Sequence, residues 1–347
     1  MKKVKKDTLY SLLSLIFVFS AGLLVGFFID QYMNQSNTAE ETTAAYSIKP
    51  PDSSPGLEEL SPDQPLTYKE WLKEKEFKYD NLLMEDLDQI TCQEITDYHQ
   101  ELLKIPAMNY SISYENLITQ EIYNHNENEL TVVASTSKIL TAMIYLDLIE
   151  EEKIESDTPV LYAPAYYQDG GGAITSDAGN RSSYPLDKVI EEMIVHSDNT
   201  AAMMLKNYYR NNFGNYEKKV QELLGLTEED ISQVDLLWNR LNSRYLKEGL
   251  RLAAHDENYD ELIQYMLNAE QPFFLSTYVD ENIAVKYGQL GASQHDVGIY
   301  YIEGEPVYLI AVLTNGLTRE QADEFMGRIN LNLVTQALYN DYLNTFK

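Results

Sequence analysis

The chain has 347 residues, 44% of them hydrophobic, so its composition is typical of a folded protein rather than a disordered one. It carries 55 acidic and 26 basic residues, and the net charge of −29 excludes nucleic acid as a partner because a phosphate backbone would be repelled. The single cysteine, Cys92, excludes an intrachain disulfide, and the five histidines lack metal-ligand spacing. We therefore expect no metal site and no bound cofactor.

The N-terminus has the pattern of a membrane anchor. Four lysines precede Asp7, and no charged residue occurs between Asp7 and Asp30. The apolar run of residues 9–29 would form a helix about 30 Å long, which matches the hydrocarbon core of a bilayer. The lysines before the run predict that residues 1–8 are cytoplasmic and that the rest of the chain is extracytoplasmic. A cleaved signal peptide is the alternative, but no small-x-small cleavage site follows the run.

Residues 30–80 are predicted to be an extracytoplasmic tether. Five of the eleven prolines lie between residues 50 and 65, among many Asn, Ser, Thr and Glu residues, and such a segment stays extended and solvated. Two aromatic residues near its end, Trp71 and Phe77, are candidate docking points. The folded domain is predicted to span residues 81–347.

The pattern along residues 81–347 predicts a single α+β domain. Helices are expected at 81–104, 134–151, 186–195, 199–211, 217–224, 244–254, 258–269 and 319–343. Strands are expected at 110–114, 118–124, 283–290, 295–303 and 307–314. This order predicts a sheet whose strands come from both ends of the domain. The glycines of residues 170–172 lack the Gly-Lys-Ser/Thr of a phosphate loop and are predicted to form an exposed turn.

The first motif that could carry chemistry is the S-x-x-K tetrad of residues 135–138. Ser135 is placed at the N-terminus of a buried helix, with Lys138 one turn further along the same face. A serine hydroxyl needs a base, and a lysine amine can serve if burial lowers its pKa. An N-cap serine with a snorkelling lysine is the alternative for an isolated tetrad.

Two further motifs follow the tetrad. Ser197 and Asn199 flank Asp198 ahead of a buried helix, where the triplet could act as an ordinary N-cap or could relay a proton and bind a carbonyl. Lys286 and Gly288 lie in a predicted strand, where a cation and a closely approachable backbone suit an extended acyl substrate.

Taken together and in this order, the motifs resemble those of the penicillin-recognising serine hydrolases, the class A β-lactamases and D,D-peptidases. The resemblance covers roughly residues 108–345. It implies a three-layer α/β/α arrangement, with an antiparallel sheet flanked by helices and a cleft beside an all-helical half. A β-lactam or a peptidoglycan-derived peptide is the implied partner.

The resemblance also implies a role for each motif residue. Ser135 would be the acylated nucleophile, Lys138 its base, and Ser197 the proton donor to the leaving nitrogen. Asn199 would hold the substrate amide, and Lys286 would support Ser197 and a substrate anion. The backbone N–H groups of Ser135 and Gln289 would form the oxyanion hole, beside Gly288.

Two positions depart from the family pattern. Tyr287 stands where the family usually has Thr or Ser contacting the substrate carboxylate, and a phenol fills that space. The glutamate of the E-x-x-x-N loop, which activates the deacylating water in class A β-lactamases, is missing. Asp235 begins a D-x-x-x-N sequence after the second motif and is the candidate for a deacylation base, with a surface acid as the alternative.

Three hypotheses result. The first is a membrane-anchored serine hydrolase of this class with inefficient β-lactamase turnover. The second is a wall-binding or scaffold protein that retains the fold but is catalytically idle. A Ser-His-Asp hydrolase is the third, although there is no G-x-S-x-G and His295 with Asp296 has no partner serine motif.

Overall fold

The computed structural model describes residues 65–75, 90–177, 179–279 and 281–346. The predicted cytoplasmic tail, the anchor of residues 9–29 and most of the tether lie outside the described residues. Within those four ranges, no helix is long and apolar enough to cross a membrane.

The predicted helices and strands occur in the predicted order, and the described residues add three helices and four short strands that were not predicted. The helices are α1 Tyr68–Glu74, α2 Cys92–Leu103, α3 Lys138–Glu150, α4 Ala173–Ser176, α5 Leu186–Val195, α6 Asn199–Asn212, α7 Tyr216–Leu223, α8 Glu228–Ile231, α9 Ser243–His255, α10 Asp260–Leu267 and α11 Arg319–Asn344. The strands are β1 Tyr110–Asn116, β2 Ile122–His125, β3 Thr131–Val132, β4 Pro159–Leu161, β5 Ser183–Pro185, β6 Arg240–Leu241, β7 Ile283–Leu290, β8 Ser293–Ile302 and β9 Glu305–Asn315.

The main sheet has five strands in the order β2-β1-β9-β8-β7, and every neighbouring pair is antiparallel. Strands β7, β8 and β9 form a meander, whereas β1 and β2 come from the other end of the domain and join the sheet through β9. This arrangement confirms the predicted antiparallel sheet with strands from both chain ends. The two-residue pair β3–β6 and the short pair β4–β5 lie outside it and were not predicted.

Helices cover both faces of this sheet. Strand β9 is buried on both sides, and its side chains alternate between two hydrophobic clusters, as the two-residue period of a strand requires. Leu309, Ala311 and Leu313 join the cluster of the helical half, whereas Ile310 and Val312 join the cluster around α2 and α11. The three-layer α/β/α arrangement is therefore confirmed.

The folded domain extends beyond the predicted boundary at residue 81. Helix α1 begins at a capping box between Thr67 and Glu70, and its Trp71 is only 3% exposed. The Trp71 ring lies 5.4 Å from that of Tyr339 and 6.3 Å from that of Tyr342, both on α11. Part of the segment assigned to the tether is thus folded, because its aromatic residues are buried against the last helix. Phe77, the other candidate docking residue, lies outside the described residues.

Candidate active site

Ser135 lies in a tight 3₁₀ turn, Ala134–Ser137, that leads directly into α3 at Lys138. The prediction had Ala134 opening a regular helix, but Ala134 has a φ of 49°, a left-handed value that is unfavourable for alanine. The Thr136 N–H and hydroxyl both donate to the Val133 carbonyl, at 3.2 and 2.7 Å, and fix the turn. Because a 3₁₀ helix has three residues per turn, the side chains of Ser135 and Lys138, three positions apart, still lie on the same side of the turn.

Asn239 holds the same turn from the loop before α9. Its side-chain Oδ1 accepts from the Ser137 hydroxyl at 2.7 Å, and its Nδ2 donates to the Ala134 carbonyl at 2.8 Å. Its backbone carbonyl accepts from the Val133 N–H at 3.0 Å. Three contacts from one residue therefore position the segment that carries Ser135.

Lys138 is 5% exposed and joins the tetrad to the second motif. Its Nζ donates to the Ser197 carbonyl at 2.5 Å, to the Ser197 hydroxyl at 3.2 Å and to Asn199 Oδ1 at 2.8 Å. Burial holds the pKa of Lys138 well below its usual 10.5, and the Lys286 ammonium lowers it further, although Asp198 opposes both effects. The three donated hydrogen bonds use all three N–H groups of the protonated amine, and the lowered pKa means that this amine loses a proton, and so becomes able to act as a base, at a lower pH than an ordinary lysine.

The second motif is held by its central residue and by the glycine turn. Asp198 is fully buried, caps α6 through the Ala201 N–H at 2.9 Å, and accepts from the Thr175 hydroxyl at 2.7 Å. A Cβ on Gly172 would lie 2.2 Å from an Asp198 carboxylate oxygen, so only glycine allows this approach. The glycine turn predicted to be merely exposed is therefore packed against the second motif on its inner side.

Lys286 lies on β7 and is fully buried. Burial lowers the pKa of Lys286 to about 7, while the nearby carboxylate of Asp296 acts in the opposite direction. Burial raises the pKa of Asp296 to about 8, although the Gln271 amide and the Leu275 and Val297 N–H groups all donate to this carboxyl group. The Lys286 amine donates to the Tyr287 carbonyl at 3.4 Å, and the structure gives it no hydrogen bond to Ser197.

Gly288 brings β7 against the nucleophile turn. A Cβ at this position would lie 2.7 Å from the Val133 carbonyl oxygen and 2.9 Å from the Ser135 nitrogen. The Ser135 nitrogen therefore lies against β7 at Gly288, the residue before Gln289, whose N–H is the other expected group of the oxyanion hole. We call the space bounded by Ser135, Lys138, Ser197, Asn199 and residues 286–289 the Ser135 cleft.

Comparisons with known proteins identify the family of the chain. The sequence profile of a family described as the beta-lactamase enzyme family matches residues 94–338, more than two thirds of the chain. The chain belongs to the beta-lactamase enzyme family. No curated protein sequence matches it.

Solved structures of the beta-lactamase family share the fold. The structure of PBP-A is 18% identical, with a TM-score of 0.58, and the match covers 72% of this chain and 96% of PBP-A. A beta-lactamase from Sphaerobacter thermophilus is 14% identical, with a TM-score of 0.59, over 72% of this chain and 96% of that one. An ancestral class A beta-lactamase is 15% identical, with a TM-score of 0.59, over 71% of this chain and 99% of the other.

Asp235, the weak candidate for a deacylation base in this family member, lies outside the Ser135 cleft. It caps the short turn Leu236–Trp238 and pairs with Arg240 through the backbone. It lines a separate cavity of about 720 Å³ together with Leu130, Thr131, Val132, Trp238, Arg240, Ser293 and Asn315. Among the described residues, nothing connects Asp235 by a hydrogen bond to Ser135, Lys138 or Ser197.

The third hypothesis, a Ser-His-Asp site, is excluded by the surroundings of His295. The ring is fully buried in β8, where Nε2 lies 2.9 Å from the Val132 carbonyl and Nδ1 accepts from the Thr314 N–H at 3.1 Å. Burial lowers the pKa of His295 to about 4. Both ring nitrogens are engaged in holding β3 and β9 to β8, so His295 is structural.

Sequence reasoning missed two contributors to the cleft, Asn239 and the glycine turn. In the sequence, Asn239 was noted only as the last residue of D-x-x-x-N. Asparagine is a residue type that favours turns, and in the structure Asn239 has a left-handed conformation just before the two-residue strand β6. The glycine triplet itself was visible, but its inner contact with Asp198 depends on a tertiary approach that no local pattern encodes.

Proposed function

We propose that this chain is an active-site serine acyltransferring hydrolase, acylated at Ser135 by a β-lactam or by a cell-wall peptide or amide. The observation that carries the proposal is the contact of the Lys138 amine with both Ser197 and Asn199. Lys138 lies one turn after Ser135, and the strand that carries Gly288 packs against the Ser135 turn. A polar constellation of this kind is costly to bury without a role.

The reaction follows from these positions. The Ser135 hydroxyl attacks the substrate carbonyl while its proton passes to the neutral Lys138 amine, and the resulting oxyanion faces the Ser135 and Gln289 N–H groups. The carbon–nitrogen bond then breaks, and the proton reaches the leaving nitrogen through the Ser197 hydroxyl, which lies 3.2 Å from Lys138 Nζ. The product is an ester on Ser135. Asn199 is placed to bind the substrate amide at the same end of the cleft.

Release of this ester is proposed to be slow. The family glutamate is missing, and Asp235, its candidate replacement, makes its contacts with Trp238 and Arg240 and has no hydrogen bond to Ser135. A structural neighbour supports this proposal. A mutant of PBP-A has been solved as an acyl-enzyme complex with penicillin-G, so an ester of this kind can persist on that protein.

The cellular setting is also a proposal. Residues 9–29 would anchor the chain in the cell membrane, with residues 1–8 in the cytoplasm, a tether after the anchor, and the Ser135 cleft on the extracytoplasmic side. A wall-derived substrate lies within reach of such an arrangement.

The alternative is a wall-binding or scaffold protein without turnover. The observation in its favour is Tyr287, whose ring lies over the Lys286 amine in the cleft. In that case the fold would bind a ligand but Ser135 would remain unmodified.

Covalent labelling separates the two proposals. The full-length chain in detergent would be incubated with a fluorophosphonate and with benzylpenicillin, and adducts would be located by intact and peptide mass spectrometry. We expect one adduct on Ser135, its loss in Ser135→Ala, and its retention in Ser232→Ala, a matched change at an exposed serine. Absence of any adduct on folded wild type, with folding checked by urea denaturation, would favour the scaffold.

A further inference from the structure

Tyr287 occupies the part of the Ser135 cleft that lies over its buried cation. The centroid of the Tyr287 ring is 4.3 Å from Lys286 Nζ, a distance at which a cation and an aromatic face attract each other. Burial raises the pKa of Tyr287, and the neighbouring Ser197 side chain acts in the opposite direction, so the phenol lies near Ser197. The side chain therefore bridges the two groups that flank the leaving-group side of the cleft.

The Tyr287 ring also contacts a second aromatic side chain. The Phe273 ring meets the Tyr287 ring edge to face, with centroids 4.9 Å apart. The Arg319 guanidinium lies 4.3 Å from the Phe273 centroid and is near its own-helix partner Asp323, at 3.7 Å. Arg319, Phe273, Tyr287 and Lys286 thus contact one another in this order, with an edge-to-face contact between the two rings.

The position of the Tyr287 ring limits which substrate groups can contact the Lys286 amine. The amine is fully buried, and it is one of the two lysine amines of the cleft; in its protonated form it would attract an anionic substrate group. A ring centroid at 4.3 Å leaves no room for a carboxylate between the ring and the amine. An anion would first have to displace the phenol, and with it the contacts of the ring with Phe273 and Ser197.

We propose that Tyr287 is a specificity-determining residue that closes the subsite over Lys286 to carboxylates, so that the cleft prefers acyl donors that are uncharged at this position. The inference deepens the proposed function and rests on Ser135 being the acylated residue. A threonine at this position would keep a hydroxyl for Ser197 but expose the Lys286 amine.

The test compares one substrate in two charge states. Benzylpenicillin carries a carboxylate beside its reactive amide, and its methyl ester is neutral but otherwise the same. We would measure the acylation rate of Ser135 with each compound by intact mass, using the full-length chain in detergent. The ratio of the acid rate to the ester rate is independent of how much of a variant is folded, which keeps the comparison valid for a partly destabilised protein.

We expect the acid-to-ester ratio of Tyr287→Thr to exceed that of wild type by about tenfold or more. Tyr287→Phe, which keeps the ring but removes the hydroxyl, should keep the low wild-type ratio. Tyr265→Thr, which removes a partly buried tyrosine from α10 outside the cleft, should also keep it.

An unchanged ratio in Tyr287→Thr would overturn the proposal, and so would a raised ratio in Tyr287→Phe, because the ring would then not be the barrier. Fluorophosphonate labelling separates this failure from failure of the proposed function. If the wild-type chain takes the fluorophosphonate on Ser135, the function stands and only the role of Tyr287 is refuted. If neither penicillin nor fluorophosphonate modifies Ser135, the acyl-enzyme proposal itself fails.

Discussion

Replacing Gly288 by alanine tests whether the site depends on the close approach of β7 to the nucleophile turn. The new Cβ would lie 2.7 Å from the Val133 oxygen, 2.9 Å from the Ser135 nitrogen and 3.0 Å from the Thr136 nitrogen. Ordinary contact begins at 3.4 Å, so strand and turn must separate by about 0.7 Å. All three atoms belong to the backbone, so rotation of a side chain cannot relieve the contact.

The size of the effect follows from this displacement. Moving a reacting group by about 1 Å costs on the order of 100-fold in rate, and overpacking costs roughly 1–3 kcal/mol of stability. We therefore expect Gly288→Ala to slow phosphonylation of Ser135 by the fluorophosphonate about 10- to 100-fold, and to lower the free energy of unfolding by about 1–3 kcal/mol.

The assay pairs the labelling rate with urea denaturation, and Gly298→Ala is the control. A Cβ on Gly298, in β8 of the same sheet, would lie 3.2 Å from the Ala284 oxygen and 3.3 Å from a Leu275 methyl group, with no contact to the turn. It should lose stability but keep the labelling rate of its folded fraction. The reasoning would be refuted if Gly288→Ala were labelled at Ser135 at the wild-type rate, or if Gly298→Ala slowed this labelling as much as Gly288→Ala does.

Three further predictions concern the base, the clamp and the N-terminal helix. Labelling of Ser135 should rise with pH, with a midpoint well below 10.5, because only the neutral Lys138 amine accepts the proton and burial lowers its pKa; a pH-independent rate would exclude Lys138 as the base. Asn239→Ala should cost about 1–3 kcal/mol in urea denaturation and should slow labelling, and a double-mutant cycle with Ser137→Ala should be non-additive; additive losses would show that their 2.7 Å contact contributes nothing. Trp71→Ala should cost about 3–5 kcal/mol yet leave the labelling rate unchanged, and an unaltered urea midpoint would contradict the packing of α1 on α11.

Local patterns were sufficient for most of the secondary structure. The bounds of α5, Leu186–Val195, and of β7, Ile283–Leu290, agree with the predicted 186–195 and 283–290. In α5 the apolar residues recur at helical spacing, and a proline directly precedes its first residue. In β7 a β-rich run ends at Gly291, which has a φ of 59° and forms the turn to β8. Such signals lie within a few residues of the element that they define.

Contacts between distant segments were not predictable in the same way. The β3–β6 pair joins Val132 to Arg240, and the Ser137–Asn239 hydrogen bond spans 102 positions. The burial of Trp71 depends on two tyrosines of α11, more than 260 residues later. The hydrophobic periodicity of the sequence does not indicate which distant residues contact each other, because each partner is compatible with many local environments.

The sequence by itself determined the α+β class, the order of elements and the motif residues, since hydrophobic spacing and residue chemistry are local properties. The net charge of −29 and the apolar run of residues 9–29 likewise define an acidic chain with a predicted membrane anchor. Only the tertiary structure decided how the motifs combine. Burial and the approach of Lys286 lower the pKa of Lys138, the close fit at Gly288 places β7 at Ser135, and Tyr287 contacts both Phe273, edge to face, and the Lys286 amine. These properties depend on desolvation and on distances between segments far apart in the chain, which exist only once the chain has folded.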